Sequence, residues 1–305
     1  DGRLIFSDDH PSFLYRLQLL QQSFPDIPFF NTDWNLGYLA REFFASGILN
    51  TAFLISPLFS LVDFVASPHV YTYVIIYMFT ILFPVTTYFA ARILRYSPSV
   101  GSFAAILSLG TSIGFFEWML KYGTLGFCTS LCLLPMGIAT VVSWSLPEDR
   151  APSLLRNITK VVFSAVVISL LVFWPLGFIP LIPAGIYSLP LLFKKGSRWP
   201  LILLGLILAA LNIGWIYTFI IESKVASVVG TKGAVDANTH VTKNIFLQTL
   251  QSLHTVNPLL VIVGFCGVLS LRTIQERRIF AATIFTLVLV AVFGPQLKPK
   301  LELHR

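Results

Sequence analysis

Residues 70–94 read VYTYVIIYMFTILFPVTTYFAARIL, an apolar run with no charged residue before Arg92. A helix needs roughly 20 apolar residues to cross about 30 Å of hydrocarbon, so this run predicts a transmembrane helix. The whole chain has the same character, because 55% of its 305 residues are hydrophobic and only 11% are charged. A water-soluble domain of this size does not tolerate such a balance. We therefore expect an integral membrane protein.

The same length criterion gives eight candidate spans, so the predicted fold is all-α, a polytopic transmembrane helical bundle. Four spans are clear, and the other four are shorter and form two close pairs. One pair is interrupted by prolines and a glycine, which is typical of a tight helical hairpin. The eight predicted spans are Val70–Leu94, Ser99–Trp118, Thr124–Leu146, Val161–Trp174, Phe178–Phe193, Trp199–Ile221, Pro258–Leu271 and Ile279–Val292.

The basic residues of the short loops predict how the bundle is oriented. The net charge is +7, but the 21 Lys and Arg residues form no basic stripe, so we expect no nucleic-acid partner. Alternate loops place eleven basic residues on one side, against Lys121 alone in the two short turns opposite. The positive-inside rule assigns the larger group to the cytoplasm. The eleven are Arg92, Arg95, Arg150, Arg156, Lys160, Lys194, Lys195, Arg198, Arg272, Arg277 and Arg278.

This orientation divides the chain into three parts. Residues 1–69 are predicted to be a large first extracytoplasmic loop, residues 70–295 the bundle with an outer loop at 222–257, and residues 296–305 the start of a further outer segment. No initiator Met or signal peptide precedes Asp1, and the chain stops directly after an apolar span, so both ends are interpreted as cuts through a longer protein.

Two helices are predicted within the first loop. From Pro11 to Phe24, apolar residues recur at helical spacing over too few residues to span, which suits an amphipathic helix in the membrane interface. Residues 48–65 are apolar enough to enter the membrane. A full span there would put Arg92 and Arg95 outside, so we favour a shallow juxtamembrane helix.

An acidic pair precedes the first of these helices. Residues 7–11 read Ser-Asp-Asp-His-Pro, so Asp8 and Asp9 are adjacent. Paired carboxylates allow one group to hold a cation or a hydrogen bond while its neighbour serves as a base. The structural explanation is more common for the pair alone, because such residues also occur in solvated loops and as helix N-caps.

Other polar residues predicted to lie outside are candidates for substrate binding. An aromatic and amide-rich loop suits sugar stacking, although interfacial aromatics are also ordinary belt residues. An acid and a base at i and i+4 end one span, which equally suits a simple salt bridge. Basic residues of the tail could hold a phosphate or be only solvated. The candidates are His10, Arg16, Asp33, Trp34, Glu42, Glu117, Lys121, His304 and Arg305.

The chain resembles the GT-C superfamily of integral-membrane glycosyltransferases, in particular large uncharacterised bacterial multipass proteins of that type. The resemblance rests on SDDHPSFLYR at 7–16, on residues 30–38, and on KYGTLG at 121–126 followed by Leu134-Pro135. It implies a first span just before Asp1 and a location in the bacterial cytoplasmic membrane. It also implies an active site on the extracytoplasmic face.

The resemblance further implies a chemistry. A hexosyl or pentosyl group would move from a polyprenyl-phosphate donor to a cell-envelope glycan or lipid acceptor in one inverting displacement. The base would be Asp9 or Asp8, and the cation at the leaving phosphate Arg305, Lys121 or Arg16. Some members bind a divalent cation such as Mg or Mn, but this acidic pair lacks the spaced Asp-x-Asp form.

Two other functions remain open from the residues. A transporter or flippase of a lipid-linked substrate would need ionisable residues near the bilayer midplane and repeated halves, and the sequence contains neither pattern. A non-catalytic scaffold with the same fold is the other alternative.

Overall fold

The structure is a computed structural model, and it describes residues 9–27, 47–111, 113–146, 153–174, 177–193 and 198–229, with residues 277, 280 and 281. At 111, 113, 114, 117, 118, 215 and 218–229 the description is limited to the backbone. The described part of the chain is helical and contains no strand. The helices are α1 His10–Ser23, α2 Ile48–Ile55, α3 Val70–Ile93, α4 Pro98–Thr111, α5 Ile113–Tyr122, α6 Leu125–Ser143, α7 Leu154–Val172, α8 Ile182–Ser188 and α9 Arg198–Val229.

The chain forms two compact units, one of Asp1–Leu181 with Ser188–Trp215 and the other of Ile182–Tyr187 with Ile216–Arg305. Within the described residues, α3, α6 and α7 are long and apolar enough to cross a membrane. The all-helical membrane fold is thus confirmed at this coarser level. The predicted spans at 258–271 and 279–292 lie outside the described residues.

The structure corrects two of the predicted spans. The helix predicted to start at Val161 begins seven residues earlier, where the Ser153 hydroxyl accepts the Arg156 N–H at 3.3 Å. Charged residues in its first two turns concealed that start. The span predicted at 99–118 corresponds to α4 and α5, which the structure describes on either side of residue 112.

The segment predicted as a span at 178–193 is also broken. It contains two 3₁₀ helices, Ile179–Leu181 and Leu189–Phe193, on either side of the seven-residue α8. Three prolines occur in it, and each removes a backbone donor from the helical ladder. Hydropathy alone therefore overestimated the length of this helix.

Helix α1 packs its apolar residues against protein, and its position in the membrane interface stays a prediction. Its apolar residues Phe13, Leu17 and Leu20 are at most 3% exposed and join one core with residues of α2, α3, α5 and α6. The apolar face of α1 is therefore covered by protein.

The polar residues of α1 also make specific contacts. The Gln21 amide nitrogen donates to the carbonyl oxygens of Phe59 and Val62 at 3.1 and 2.5 Å, and its oxygen accepts the Phe64 N–H at 2.9 Å. Gln18 donates to the Phe64 carbonyl at 2.7 Å. These amides replace water for the buried backbone after α2 and hold that segment against α1.

Helix α2 is joined to α6 by buried polar side chains. Asn50 donates to the Gly126 carbonyl at 3.2 Å and to the Ser130 hydroxyl at 3.1 Å, and the hydroxyls of Thr51 and Thr129 are 2.6 Å apart. Buried polar groups are costly without such partners. With eight residues α2 is about 12 Å long, too short to span a bilayer. Its position relative to the membrane stays a prediction.

Gly47, directly before α2, allows the close approach of these helices. Its φ is +71°, and a Cβ there would lie 3.0 Å from the Trp174 Cα and 3.1 Å from the Gly126 Cα. These are backbone atoms that cannot rotate away. We predict that Gly47→Ala destabilises the protein by about 2 kcal/mol or more, since left-handed strain and overpacking both contribute.

Thermal unfolding in one detergent checks this, with Gly205→Ala as the matched control. Gly205 lies inside α9, and a Cβ there meets nothing within 4 Å. The control should keep or slightly raise the unfolding temperature, because Ala favours helix. Equal unfolding temperatures for the two variants would contradict the packing described for Gly47.

Candidate functional site

Asp9, the residue directly before α1, is hydrogen-bonded to the turn between α5 and α6. The Asp9 backbone N–H donates to the Tyr122 carbonyl at 3.0 Å. The Thr124 hydroxyl donates to Asp9 Oδ2 at 2.9 Å. Asp9 is the N-cap residue of α1, but its side chain caps no backbone N–H. Its exposed carboxylate is therefore bound by another element of the fold, 115 residues away along the chain.

His10, the next residue, is fully buried and anchors this segment. Its Nε2 lies 2.9 Å from the Met119 carbonyl oxygen and 3.3 Å from that of Leu120. Its Nδ1 lies 2.8 Å from the Tyr71 hydroxyl. A carbonyl can only accept, so Nε2 carries the proton, and a neutral ring then accepts the tyrosine proton at Nδ1. One ring thus joins α1 to α3 and to the end of α5.

The turn is shaped around this ring. Gly123 has a φ of +68°, and its N–H donates to the Met119 carbonyl at 3.1 Å, so a left-handed glycine ends α5. A Cβ on Gly123 would lie 2.5 Å from Cγ and Cδ2 of His10. No side chain fits there, which explains the glycine between Tyr122 and Thr124.

The turn carries a partly exposed hydroxyl and an exposed cation, and the hydroxyl is bonded to the exposed acid. Thr124 is the N-cap residue of α6, so the Asp9 carboxylate lies at the positive end of that helix dipole. Lys121 is exposed in the last turn of α5, with Nζ 5.2 Å from the Tyr122 ring centroid. A carboxylate has about four acceptor positions, so the bond from Thr124 leaves capacity for a substrate hydroxyl.

The predicted site residues fall into three groups. Asp9 and Lys121 belong to this exposed surface. His10 and Arg16 are buried, and the Arg16 guanidinium carbon lies 5.0 Å from the Phe13 ring centroid. Both ring nitrogens of His10 bond to other parts of the protein. Substrate contact by His10 stays a prediction, and the burial of the ring does not favour it. Outside the described residues lie Asp8, Asp33, Trp34, Glu42, His304, Arg305 and the Glu117 side chain.

The possible divalent cation, Mg or Mn, stays a prediction. The described residues contain no group of three or more His, Cys, Asp or Glu side chains placed to hold a metal. At this turn they supply one carboxylate, that of Asp9, with the Thr124 hydroxyl bonded to it. Mg²⁺ is commonly held by one or two carboxylates together with water and substrate phosphates.

Two contributors were not identified as such from the sequence. Tyr71 lies at the start of an apolar span, where an aromatic residue is expected as a belt residue. Thr124 is a residue type common before helices, a signal that indicates a cap and not a bond to a distant acid. Their pairing with residues 9 and 10 depends on tertiary structure.

Comparison with other proteins gives no further assignment of the site. No family model matches the chain, and no curated protein or solved structure matches it.

We predict that Tyr71→Phe destabilises the protein, because it removes the hydroxyl that bonds His10 Nδ1 and leaves a buried nitrogen without that donor. The expected loss of unfolding free energy is about 1–3 kcal/mol. Tyr77→Phe is the matched control, since Tyr77 lies on the same helix and is 63% exposed. Thermal unfolding measures both variants. If Tyr71→Phe unfolded at the same temperature as the control, the bond between Tyr71 and His10 would not contribute to the stability of the protein.

Proposed function

We propose that this protein is a membrane glycosyltransferase of the GT-C type, which transfers a sugar from a polyprenyl-phosphate donor to a cell-envelope glycan or lipid acceptor. The observation that carries the proposal is the exposed Asp9 carboxylate, held on the α5–α6 turn by Thr124. The sequence resemblance supplies the reaction class, and the exposed carboxylate with its bond from Thr124 supports Asp9 as the base. The proposal includes the eight-span topology, in which the broken segment 178–193 is one crossing and residues 1–69, 222–257 and 296–305 lie outside a bacterial cytoplasmic membrane.

The location of this turn suits a lipid-linked substrate. Helix α3 begins at Val70 and α6 at Leu125, and both helices are long and apolar enough to cross the bilayer. His10 bonds the start of α3 to the end of α5. Asp9 therefore lies at the end of the bundle where α3 and α6 begin and α5 ends. A polyprenyl phosphate places its tail among lipid and its phosphate at the same headgroup level. The donor and Asp9 can therefore meet without the tail leaving the membrane.

In the proposed reaction Asp9 takes the proton of the acceptor hydroxyl as that oxygen attacks the anomeric carbon. The bond from the anomeric carbon to the phosphate oxygen breaks, and the polyprenyl phosphate leaves with the bonding electrons. A single displacement inverts the anomeric configuration. Thr124 orients the carboxylate, and Lys121 is the exposed cation on the same turn that would stabilise the charge developing on the phosphate.

We predict that Asp9→Asn lowers kcat for sugar transfer by roughly 100-fold or more, since general base catalysis contributes about 10²–10⁴. The asparagine keeps the size of the side chain and can still accept a hydrogen bond from Thr124. Asp26→Asn is the control, because Asp26 is also exposed but lies beyond the opposite end of α1. Transfer from a polyprenyl-phosphate sugar by the whole protein measures both, and an unchanged rate in Asp9→Asn would exclude this base.

We further predict that Thr124→Val lowers kcat roughly 10-fold or more with little change in the KM of the donor. The reason is that a hydrogen bond to a charged group contributes about 1.5–3 kcal/mol. Thr124→Ser keeps the hydroxyl and should keep the rate. Equal losses in the valine and serine variants would mean that the methyl packing of Thr124 matters and its bond to Asp9 does not.

A further inference from the structure

A second polar site lies at the opposite end of α6. The 19 residues of this helix put its two ends about 28 Å apart. A cavity of about 280 Å³ lies there, next to the end of α3 and the start of α7. Its polar lining consists of Arg95, Thr140, Ser143, Arg156, Lys160 and Ser164. The positive-inside rule assigns this end to the cytoplasm, so this cavity is separate from the site proposed around Asp9.

The cavity collects three basic side chains from separate parts of the chain. Arg95 follows α3, while Arg156 and Lys160 lie one turn apart on α7. No Asp or Glu occurs among the described residues that line it. Lys160 Nζ donates to the Ser143 carbonyl at 3.1 Å and lies 4.5 Å from the Trp144 ring centroid, which fixes one of the three charges. Like charges gathered at a membrane surface favour an anion between them.

Arg95 has a left-handed backbone conformation at the end of α3. Arg95 has a φ of +68°, and the Tyr96 N–H donates to the Ala91 carbonyl at 2.9 Å, so Arg95 occupies the left-handed position that ends α3. Glycine is the usual residue there, because any other side chain strains this conformation. An arginine that keeps a strained backbone and lines a cavity indicates a role for its guanidinium.

The cavity also contains a buried hydroxyl, that of Thr140. Thr140 is 2% exposed, lines the cavity, and its Oγ1 has no hydrogen-bond partner among the described residues. A buried hydroxyl without a partner is costly. The Ser164 hydroxyl accepts the Trp144 indole N–H at 3.1 Å, which leaves its own proton available to a ligand. The cavity thus presents hydroxyl donors as well as charge.

The charges in the first turn of α7 also favour an anion at this end of the helix. The positive end of a helix dipole favours anions, yet this turn carries Arg156 and no acidic residue. Arg156 and the helix dipole would both attract an anion bound at this end. Leu154 and Leu155 in the same turn are 78% and 76% exposed, so apolar surface adjoins the basic residues. Charge beside exposed apolar side chains matches a phospholipid.

We propose that this cavity binds a phosphate group, either the headgroup of an anionic phospholipid in the adjoining leaflet or a free phosphate. Arg95, Arg156 and Lys160 supply the charge, and Thr140 and Ser164 donate to phosphate oxygens. The volume is at the lower limit of ligand pockets, roughly 300–1,000 Å³, so the site takes a headgroup and leaves acyl chains outside. This binding is independent of the chemistry proposed for Asp9.

The test uses the whole protein in nanodiscs of phosphatidylcholine with a minor fraction of phosphatidylglycerol. Native mass spectrometry measures the phosphatidylglycerol that the protein retains. We expect Arg95→Gly to weaken the retention of phosphatidylglycerol about fivefold. This factor corresponds to the attraction of about 1 kcal/mol that one basic residue contributes near an anionic membrane surface. Glycine suits this backbone, so the unfolding temperature should not fall. Thr140→Val should also weaken retention.

Arg92→Gln is the matched control. Arg92 carries the same charge in the last turn of α3 but donates to the Tyr96 carbonyl at 2.6 Å and does not line the cavity. Unchanged retention in Arg92→Gln, with the loss in Arg95→Gly, supports the site. Equal losses of retention in the two variants would mean that general surface charge holds the lipid, and this result would overturn the proposed site.

A second arm distinguishes the sources of phosphate. In nanodiscs of phosphatidylcholine alone, inorganic phosphate is compared with chloride for its effect on the unfolding temperature. Stabilisation by phosphate that Arg95→Gly removes assigns the site to free phosphate, and retention of phosphatidylglycerol without this stabilisation assigns it to the lipid headgroup. If neither probe binds the wild-type protein, the proposal is wrong.

Discussion

The buried imidazole of His10 is the constraint on which the site and its surroundings depend. A polar ring removed from water needs partners for both nitrogens. Here they come from Tyr71 at the start of α3 and from the Met119 carbonyl near the end of α5. Gly123 must lack a side chain for the ring to fit. Three distant parts of the chain therefore meet at one ring, and the neighbouring carboxylate of Asp9 is placed by that meeting.

This anchoring gives the segment before the first long helix an integral place in the fold. Helix α1 contributes its apolar face to the same core as α3, α5 and α6, and Gln21 holds the backbone that follows α2. Helix α6 connects the two polar ends of the described bundle. Thr124 at its start bonds Asp9, while Thr140 near its end lines the basic cavity. An exposed acid and a basic cavity lie at opposite ends of one apolar helix.

Hydrophobic length predicted the long helices well and their interruptions poorly. The run at 70–94 became α3 almost residue for residue, because it is apolar throughout until Arg92 and a single internal proline, Pro84, does not end the helix. The start of α7 was missed because Arg156 and Lys160 lower the hydropathy of a turn that is nonetheless helical. Asp9 was identified from its acidic neighbourhood. Its bond to Thr124 and the pairing of His10 with Tyr71 join residues 115 and 61 positions apart, and no local pattern in one sequence encodes such contacts.

The central claim is that the surface formed by Asp9, Lys121 and Thr124 receives the lipid-linked donor. An experimental map of the whole protein in a lipid nanodisc with a polyprenyl-phosphate sugar tests it most directly. We expect the donor phosphate at the α5–α6 turn, the sugar beside the Asp9 carboxylate, and the His10 ring still bonded to Tyr71. Donor density at another part of the bundle, with this turn in contact only with solvent, would contradict the account.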